Sequence, residues 1–374
     1  MEKKMQVLLI TSHVWGSKRK AGFHWIADAC HRRGYDVFFF TGLSLIDVVK
    51  RDYRVPFIAR YGVNRLYSIG DRLSAFINFT IFRPVGFRGN KFLNWMSSLF
   101  FYLYRHMPLS KAIRHVVLSS DLIVFESVNE ILLFDKMKKI NPGARYVYRM
   151  SDDMSIRNVH PLVLSYERGI ASEFDLVSVP TKSMYDKFIG LSNCRLQLHG
   201  LPLHLYEVKS INPYPSGSLN AVYAGNNSFD KDFLRVAAEH FPSVNFYIFG
   251  NVDFVSSLPN VKVFGEVAYE KIVPYIKNAD IGLSPMLNSS FSDSNKIIQY
   301  VYSGLPVIIS DLNRCDRDSF FYYSIGDVKS IISAMSSAIS SGRRKGGGSG
   351  VRSWDDLVDD LFKDPAQEKS NDSL

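Results

Sequence analysis

The sequence predicts an α/β protein built from two doubly wound parallel sheets. Short apolar segments rich in β-branched and aromatic residues, such as QVLLITS near the start and LPVIIS at 305–310, are typical of strands buried on both faces. Segments with helical spacing alternate with them. At 374 residues the chain exceeds one ordinary core, and NPYPSGS at 212–218 has the composition of a linker between two sheets.

Both halves of the chain alternate strands with helices. The strands predicted in the first half are QVLLITS, DVFFFTG, DLIVFES, RYVYRM, DLVSVPT and a short strand at Leu196 to Gly200. Those predicted in the second half are NAVYAG, NFYIFG, VKVFGEV, DIGLSPM and LPVIIS. The predicted helices lie at about Ala21 to Arg33, Glu130 to Lys139, Leu162 to Glu173, Lys231 to His240, Tyr269 to Lys277 and Val328 to Ile339, with another from near Asn295.

This alternation predicts two Rossmann-like domains that face a cleft. The predicted boundaries are a first domain at 1–205, a linker at 206–218, a second domain at 219–341, a flexible loop at 342–350, a C-terminal helix at 351–362 that packs back on the body, and a disordered tail at 363–374.

Charge and cysteine usage narrow the class of protein. Residues 1–120 carry 19 Lys and Arg against 6 Asp and Glu, so the first third accounts for the net charge of +9. Nucleic acid, anionic lipid and phosphorylated substrates all favour such a surface, and charge alone does not choose among them. Three widely spaced cysteines argue against a disulfide framework, and the short run VLLI is no signal peptide. We therefore expect a cytoplasmic protein.

An aromatic segment, KFLNWMSSLFFYLYRHM at 91–107, follows the first strands. Its apolar residues keep helical spacing, but the run is too short to cross a bilayer, which needs about 20 residues. Two interpretations stay open. The helix packs against the sheet, or it lies in a membrane interface with Arg72, Arg83, Arg88, Lys91 and Arg105 around it.

The segment SDSNKIIQYVYSGLPVIIS at 292–310 combines a loop, a helix and a buried strand. Ser292, Asp293 and Ser294 are N-cap candidates, and Lys296 adds a positive charge to the first turn of the helix. A helix N-terminus with a lysine suits a nucleotide diphosphate. The alternative is a solvated surface lysine on an ordinary βαβ helix.

Several segments together resemble the GumK-type glucuronosyltransferases. These are SDLIVFES, NPGARYVYRMSDDMS, FDKDFLRVAAEHFPSVNFYIFG, VFGEV and SDSNKIIQY, in that order and spacing, and the likeness runs from about Leu8 to about Trp354. The most specific pieces are the VYRxSD and KxxQY boxes. The resemblance implies the GT-B fold and an inverting, metal-independent transfer without a cofactor, typically of glucuronate from UDP-glucuronate, in exopolysaccharide or surface glycan synthesis.

The resemblance also implies partners and a location. The acceptor would be a polyprenyl-diphosphate-linked oligosaccharide, and the enzyme would sit peripherally on the anionic inner membrane, with no nucleic acid partner. Another nucleotide sugar, UDP-glucose or a GDP-sugar, is the first alternative. A non-enzymatic membrane-binding or nucleic-acid-binding protein is the second, and it would leave the second domain without a purpose.

The resemblance assigns roles to individual residues. Asp152 aligns with the catalytic base, and Asp153 and Lys20 are auxiliary candidates. The alternative for Ser151 to Asp153 is a cap of the next turn. The residues assigned to donor binding are Glu266 on the ribose, Lys296 and Gln299 on the phosphates, and Asn227, Met286 and Asn295, which occupy matching positions with different residue types.

Two motifs are false leads. Asp230-Lys231-Asp232 has the DxD form of a metal-nucleotide site, but its place at a helix start favours a capping role. The histidines and cysteines form no zinc-type pair, and no GxGxxG follows the first strand, so we expect neither a metal nor a nicotinamide dinucleotide.

Overall fold

The structure is a computed structural model that describes residues 4–225, 228–254, 257–287, 295–313, 319–344 and 350–363. The chain divides into two compact units. Unit 1 comprises Met1–Ser17, Ala21–Leu198 and Trp354–Leu374, and unit 2 comprises Lys18–Lys20 and His199–Ser353.

The strands carry the numbers β1 to β14 in chain order. They are β1 (Gln6–Thr11), β2 (Asp36–Ser44), β3 (Leu66–Gly70), β4 (Leu73–Thr80), β5 (Leu122–Glu126), β6 (Arg145–Arg149), β7 (Leu176–Val179), β8 (Cys194–Leu196), β9 (Leu219–Ala224), β10 (Val244–Phe249), β11 (Val261–Gly265), β12 (Ile281–Ser284), β13 (Val307–Ser310) and β14 (Phe320–Tyr323).

The α-helices carry the numbers α1 to α14. They are α1 (Gly22–Arg32), α2 (Leu45–Val49), α3 (Pro56–Tyr61), α4 (Lys91–His106), α5 (Lys111–Ser119), α6 (Phe134–Ile140), α7 (Pro161–Ile170), α8 (Lys182–Tyr185), α9 (Leu203–Glu207), α10 (Lys231–His240), α11 (Tyr269–Asn278), α12 (Asn295–Tyr302), α13 (Val328–Ser341) and α14 (Trp354–Phe362).

The sheet of unit 1 has the strand order β3-β4-β2-β1-β5-β6-β7-β8. Neighbouring strands are parallel except at the β3–β4 edge, which is antiparallel. The central strands are buried along most of their length, which explains their nearly continuous apolar sequences. Their carboxyl ends therefore share one edge of the sheet.

The sheet of unit 2 has the order β11-β10-β9-β12-β13-β14, and its strands are parallel. Tyr223 and Ile248 belong to one buried cluster with α10 and α13, and Tyr247 and Ile309 belong to another with α11 and α12. The prediction of two parallel-sheet α/β domains is thus confirmed.

The last helix, α14, packs within unit 1 against α1. The ring of Trp354 is buried and lies so close to Gly22 that a Cβ there would sit 3.0 Å from it. Arg33 forms ion pairs with Asp355 at 2.8 Å and with Asp359 at 2.7 Å. An apolar contact and a charged rim together hold this segment on the unit that begins the chain.

Three local expectations differ from the structure. The prediction of a strand at Leu196 to Gly200 is wrong, because β8 ends at Leu196. The Arg149 guanidinium donates a hydrogen bond to the Gln197 carbonyl at 2.6 Å. The hairpin β3–β4 and the edge strand β14 were not expected. Residues 199–205, which the sequence assigned to the first domain, belong to unit 2, where the Leu201 amide donates to the Arg352 carbonyl at 2.8 Å.

Candidate active site

Unit 2 contains an open cavity of about 180 Å³ at the carboxyl edge of its sheet. The residues at the ends of three strands and on two helices line it, together with the segment 18–20: Lys18, Arg19, Lys20, Ala224, Gly225, Phe249, Gly250, Glu266, Val267, Tyr269, Ile272, Lys296 and Gln299. All of them belong to unit 2. The carboxyl edge of a parallel sheet is where such folds bind ligands.

Lys296, in the first turn of α12, is the most unusual group in this cavity. Its residue is only 8% exposed, and its ammonium lies 2.9 Å from the Met286 sulfur and 4.8 Å from the centre of the Tyr223 ring. Among the described residues no carboxylate lies within ion-pair distance of it. Burial lowers the pKa of the Lys296 ammonium from 10.5 to about 7. The site therefore has a cation whose partner is not supplied by the described chain.

Two neighbouring polar groups also have unused hydrogen-bonding capacity. Within the described ranges, the Tyr223 hydroxyl and the Oε1 atom of Gln299 are buried without a hydrogen-bond partner. Buried polar atoms are nearly always paired, so two unpaired ones beside Lys296 indicate a ligand that completes them. A Cβ at Gly225 would lie 2.7 Å from the Tyr223 hydroxyl and 3.5 Å from the Lys296 nitrogen. Only glycine leaves this space open.

The loop segment 18–20 adds positive charge to the same cavity. Arg19 forms an ion pair with Glu266, just beyond β11, and Lys20 forms one with Glu270 at 3.0 Å. Although burial opposes it, hydrogen bonds from its own backbone and from Lys20 lower the pKa of Glu270. With Lys18 also in the lining, the cavity is positively charged overall and suits an anionic ligand.

The structure brings together four of the residues that the sequence assigns to donor binding. Glu266, Lys296 and Gln299 line the cavity, and Met286 contacts Lys296. Asn227, the side chain of Asn295 and the N-cap candidates Ser292 to Ser294 lie outside the described residues.

Asp152 and Asp153 follow β6 at the carboxyl edge of the unit 1 sheet, and the structure separates their roles. The Asp153 carboxylate accepts from the Ser155 amide at 2.9 Å, caps the short 3₁₀ helix Met154–Ile156 and pairs with Lys187. Although burial opposes it, hydrogen bonds from Lys187 and Ser155 lower the pKa of Asp153. The Asp152 side chain is twice as exposed, 33% against 16%, and pairs with Arg157. Capping thus belongs to Asp153 and leaves Asp152 at the surface.

The DxD segment is a helix start, as expected. Asp230 accepts from the Phe233 amide at 3.1 Å as the N-cap of α10, and from the Tyr323 hydroxyl at 2.9 Å. Asp232 is exposed and lies 3.7 Å from Arg235 one turn along the helix. This geometry gives Asp230 a capping role and places Asp232 in the exposed first turn.

The aromatic helix α4 has one buried and one exposed face. Phe101 and Tyr104 are buried in the unit 1 core. Trp95 is 72% exposed, Leu99 59% and Phe92 66% on the opposite face. An apolar face of this kind on a soluble surface marks an interaction site. No helix in the described part of the chain is long and apolar enough to span a membrane.

Sequence reasoning did not single out several residues at these sites. Tyr223 lies inside a strand, and only the packing of the folded chain brings its buried ring against Lys296 and its hydroxyl close to Gly225. The loop with Lys18, Arg19 and Lys20 was expected at a ligand edge, but the ion pair of Arg19 with Glu266 was not, because 247 positions separate the two residues. In unit 1, Glu126 ends β5 as a buried carboxylate beside His13. The sequence pattern that could have identified Glu126 is an acidic residue at the end of an otherwise apolar strand.

Two families match the chain in succession. Residues 9–180 match "Glucuronosyltransferase GumK, N-terminal domain", and residues 216–341 match "Glycosyl transferases group 1". The UDP-glucuronate:glycolipid 2-beta-glucuronosyltransferase of Xanthomonas campestris pv. campestris is 28% identical over 345 residues, covering 90% of this chain and 84% of that protein.

Solved structures with the same architecture are more distant in sequence. The apo structure of OtsA has a TM-score of 0.56 at 10% identity and covers 99% of both chains. An alpha-glucosyltransferase in complex with UDP and a 13-mer DNA containing a HMU base has a TM-score of 0.51 at 11% identity, covering 90% of this chain and 91% of that one. These neighbours are GT-B glycosyltransferases, so the predicted GT-B fold is confirmed.

Replacement of the buried lysine tests the anion site. We expect Lys296→Met to weaken UDP binding about 10- to 100-fold, the range of a lost charge-assisted contact of roughly 1.5–3 kcal/mol. The affinity of the unchanged protein should fall between pH 7 and 9, since a pKa of about 7 leaves Lys296 neutral there. The variant should lose this slope. Calorimetric titration measures the UDP affinity and its dependence on pH. Lys231→Met is the matched control, because Lys231 pairs with Asp253 outside the cavity.

The same pKa predicts the stability of the unliganded protein. Because the folded pKa of Lys296 lies below its unfolded value of 10.5, the unfolded chain binds more protons between about pH 7 and 10.5. The contribution of Lys296 to the free energy of unfolding therefore rises with pH across this window and is absent in Lys296→Met. Urea titrations at several pH values measure the free energy of unfolding of both proteins. An equal dependence of that free energy on pH would contradict the burial of the Lys296 amine.

Proposed function

Because this chain is a GT-B glycosyltransferase of the GumK-type family, we propose that it transfers glucuronate from UDP-glucuronate to a polyprenyl-diphosphate-linked oligosaccharide. The observation that carries the proposal is the buried Lys296 in a positively charged cavity at the ligand edge of unit 2. The Xanthomonas relative of this chain is named for the donor UDP-glucuronate and a glycolipid acceptor.

The donor's diphosphate is proposed to pair with Lys296. A phosphate near this amine restores its protonated state, and the hydroxyl of Tyr223, which has no partner within the described ranges, is proposed to donate to the same anion. As the bond to the sugar breaks, negative charge grows on the departing diphosphate, and a buried ammonium stabilises it better than water does. Glu266 is proposed to accept from the ribose hydroxyls, which would compete with its ion pair to Arg19.

The charge of the cavity supports an acidic sugar. Lys18, Arg19 and Lys20 line it beside Lys296, whereas Glu266 is the carboxylate among its lining residues. Two of these cations, Arg19 and Lys20, already pair with Glu266 and Glu270, and the carboxylate of glucuronate would use the positive charge that remains. A neutral sugar such as that of UDP-glucose would leave this charge unused.

Asp152 is proposed as the base that deprotonates the acceptor hydroxyl. It lies at the carboxyl edge of the unit 1 sheet, its side chain is one-third exposed, and its amide is fixed by the Ser127 hydroxyl at 3.1 Å. Deprotonation lets the acceptor oxygen attack the anomeric carbon as the diphosphate leaves, which gives inversion without a covalent intermediate. The acceptor must displace or share the Arg157 ion pair.

The exposed face of α4 supports a peripheral place on the cytoplasmic leaflet of the inner membrane. Phe92, Trp95 and Leu99 would enter the headgroup region, and Lys91 and Arg88 lie exposed at the start of the helix. Anionic lipid would attract the basic first third of the chain. A polyprenyl-linked acceptor is found at such a surface, so the proposed setting is the synthesis of an exopolysaccharide or surface glycan.

A transfer assay tests the proposed reaction. The protein would be incubated with a lipid extract of a polysaccharide-producing bacterium and with radiolabelled UDP-glucuronate, UDP-glucose or GDP-mannose. We expect label in glycolipid from UDP-glucuronate at a rate at least tenfold above the other donors. Preferred transfer from UDP-glucose or GDP-mannose would instead support the alternative donor, and no labelled glycolipid from any donor would contradict the proposal.

Replacement of the proposed base separates chemistry from donor binding. Asp152→Asn should lower the transfer rate about 10²- to 10⁴-fold, the usual contribution of a general base, with UDP affinity unchanged. Asp153→Asn is the matched control. The Asp153 carboxylate has a structural role, in a cap and in an ion pair with Lys187, and asparagine keeps the cap. If Asp152→Asn retains full transfer, Asp152 is not the base.

Vesicle flotation tests the α4 surface. The double change Trp95→Ser and Leu99→Ser removes two exposed apolar side chains, so binding to phosphatidylglycerol-containing vesicles should fall at least tenfold. Ile211→Ser, which removes a 91% exposed apolar side chain from unit 2, should bind like the unchanged protein. Equal flotation of all three proteins would show that α4 is not the membrane surface.

A further inference from the structure

The carboxyl edge of unit 1 contains a second polar group of residues, between β1 and β5. In the strand order β2-β1-β5-β6, the strand that follows β1 in the chain lies on one side of β1, and β5 and the later strands lie on its other side. Such a switch point opens a crevice where doubly wound sheets bind ligands. His13 follows β1, and Glu126 is the last residue of β5. Both therefore lie at the place where a ligand of unit 1 is expected.

Glu126 is a buried carboxylate held by several donors. It is 3% exposed and accepts from the Thr11 hydroxyl and, at 3.2 Å, from the Ser12 amide. Burial alone would raise the pKa of Glu126, but the charge of His13 and hydrogen bonds from His13, Thr11 and Ser151 lower it to about 2. The carboxylate is therefore ionised at every working pH, and it faces the Nε2 atom of His13 at 3.5 Å.

His13 has hydrogen-bonding capacity that the described chain does not use. Its side chain is 27% exposed, and its Nδ1 atom is buried with no partner among the described residues. The neighbouring His24 differs, since its ring nitrogens bind the Ala21 amide at 3.1 Å and the Val14 carbonyl at 3.0 Å. His24 is thus satisfied as a core residue, whereas His13 has a ring nitrogen without a partner among the described residues on a partly exposed side chain.

The same hydrogen-bond network reaches the proposed base. Ser127, next to Glu126, accepts through its hydroxyl from the amide of Ser151 at 3.2 Å and from that of Asp152 at 3.1 Å. The ends of three neighbouring strands, β1, β5 and β6, are joined in this way. A sugar with one hydroxyl at Asp152 would extend along this edge toward β1.

We propose that His13 binds the acceptor sugar by a hydrogen bond to an oxygen near the attacking hydroxyl, and that Glu126 is a positioning residue that fixes the His13 ring. This inference rests on the proposed function. The hydroxyl proton still goes to Asp152, and His13 forms no covalent bond. The ionised Glu126 orients the ring toward the ligand edge, as a carboxylate commonly does for a histidine that contacts substrate.

Four variants test this role in the transfer assay with UDP-glucuronate and lipid extract. His13→Ala removes the contact, His13→Gln retains a donor, and Glu126→Gln keeps the shape of the carboxylate without its charge. His31→Ala is the control, because that histidine lies on the exposed end of α1 and binds the Asp71 carbonyl at 2.8 Å. Half-saturating concentrations of extract and of UDP-glucuronate are measured separately for each protein.

We expect His13→Ala to raise the half-saturating extract concentration at least tenfold and leave that of UDP-glucuronate within twofold. The half-saturating extract concentrations of His13→Gln and Glu126→Gln should lie between those of His13→Ala and the unchanged protein. His31→Ala should match the unchanged protein. An unaltered extract dependence in His13→Ala would overturn the inference while leaving the proposed function standing. A parallel loss of donor affinity would also overturn it, since that result indicates a structural role. An unchanged protein that transfers nothing to the extract would overturn the proposed function and this inference together.

Discussion

An amine buried with no carboxylate beside it among the described residues is the constraint on which unit 2 depends. Removal of a charge from water is unfavourable unless a partner compensates for it, and for Lys296 the nearest polar contact is the weakly accepting sulfur of Met286. The empty protein tolerates this burial because a pKa of about 7 lets the Lys296 amine release its proton. The partner then has to come from the ligand. A diphosphate meets this requirement, which links the stability of the empty protein to the affinity for its donor.

Unit 1 handles charge in the opposite way. Its carboxylates at the ligand edge are each paired within the unit: Glu126 with His13, Asp152 with Arg157 and Asp153 with Lys187. Burial alone would raise the pKa values of Glu126 and Asp153, but their partners lower them, and a base for a sugar hydroxyl must also be an ionised acid. One unit thus presents a cation with no carboxylate partner among its described residues, and the other holds carboxylates that are paired with cations. This division fits a reaction in which one substrate leaves as an anion and the other loses a proton.

The sequence predicts more of the fold than of the site. The strands that became β1, β5, β9 and β13 were predictable because burial on both faces makes them continuously apolar. The edge elements β3 and β14 carry a weaker pattern, since one side of an edge strand has no neighbour. Lys296 was a candidate from its place in a helix start. Its lowered pKa was not predictable, because it depends on Met286 and Tyr223 closing around it, and no local pattern encodes that packing.

The most direct test of this account is the number of protons that UDP takes up when it binds. Titration calorimetry at pH 8 in two buffers of different ionisation enthalpy measures that number. With a free pKa of about 7, Lys296 is mostly neutral at pH 8, so pairing with a phosphate should draw in close to one proton per UDP bound. Lys296→Met should take up none. An unchanged protein that binds UDP with no proton uptake, or with the same uptake as Lys296→Met, would contradict the central role of the buried lysine.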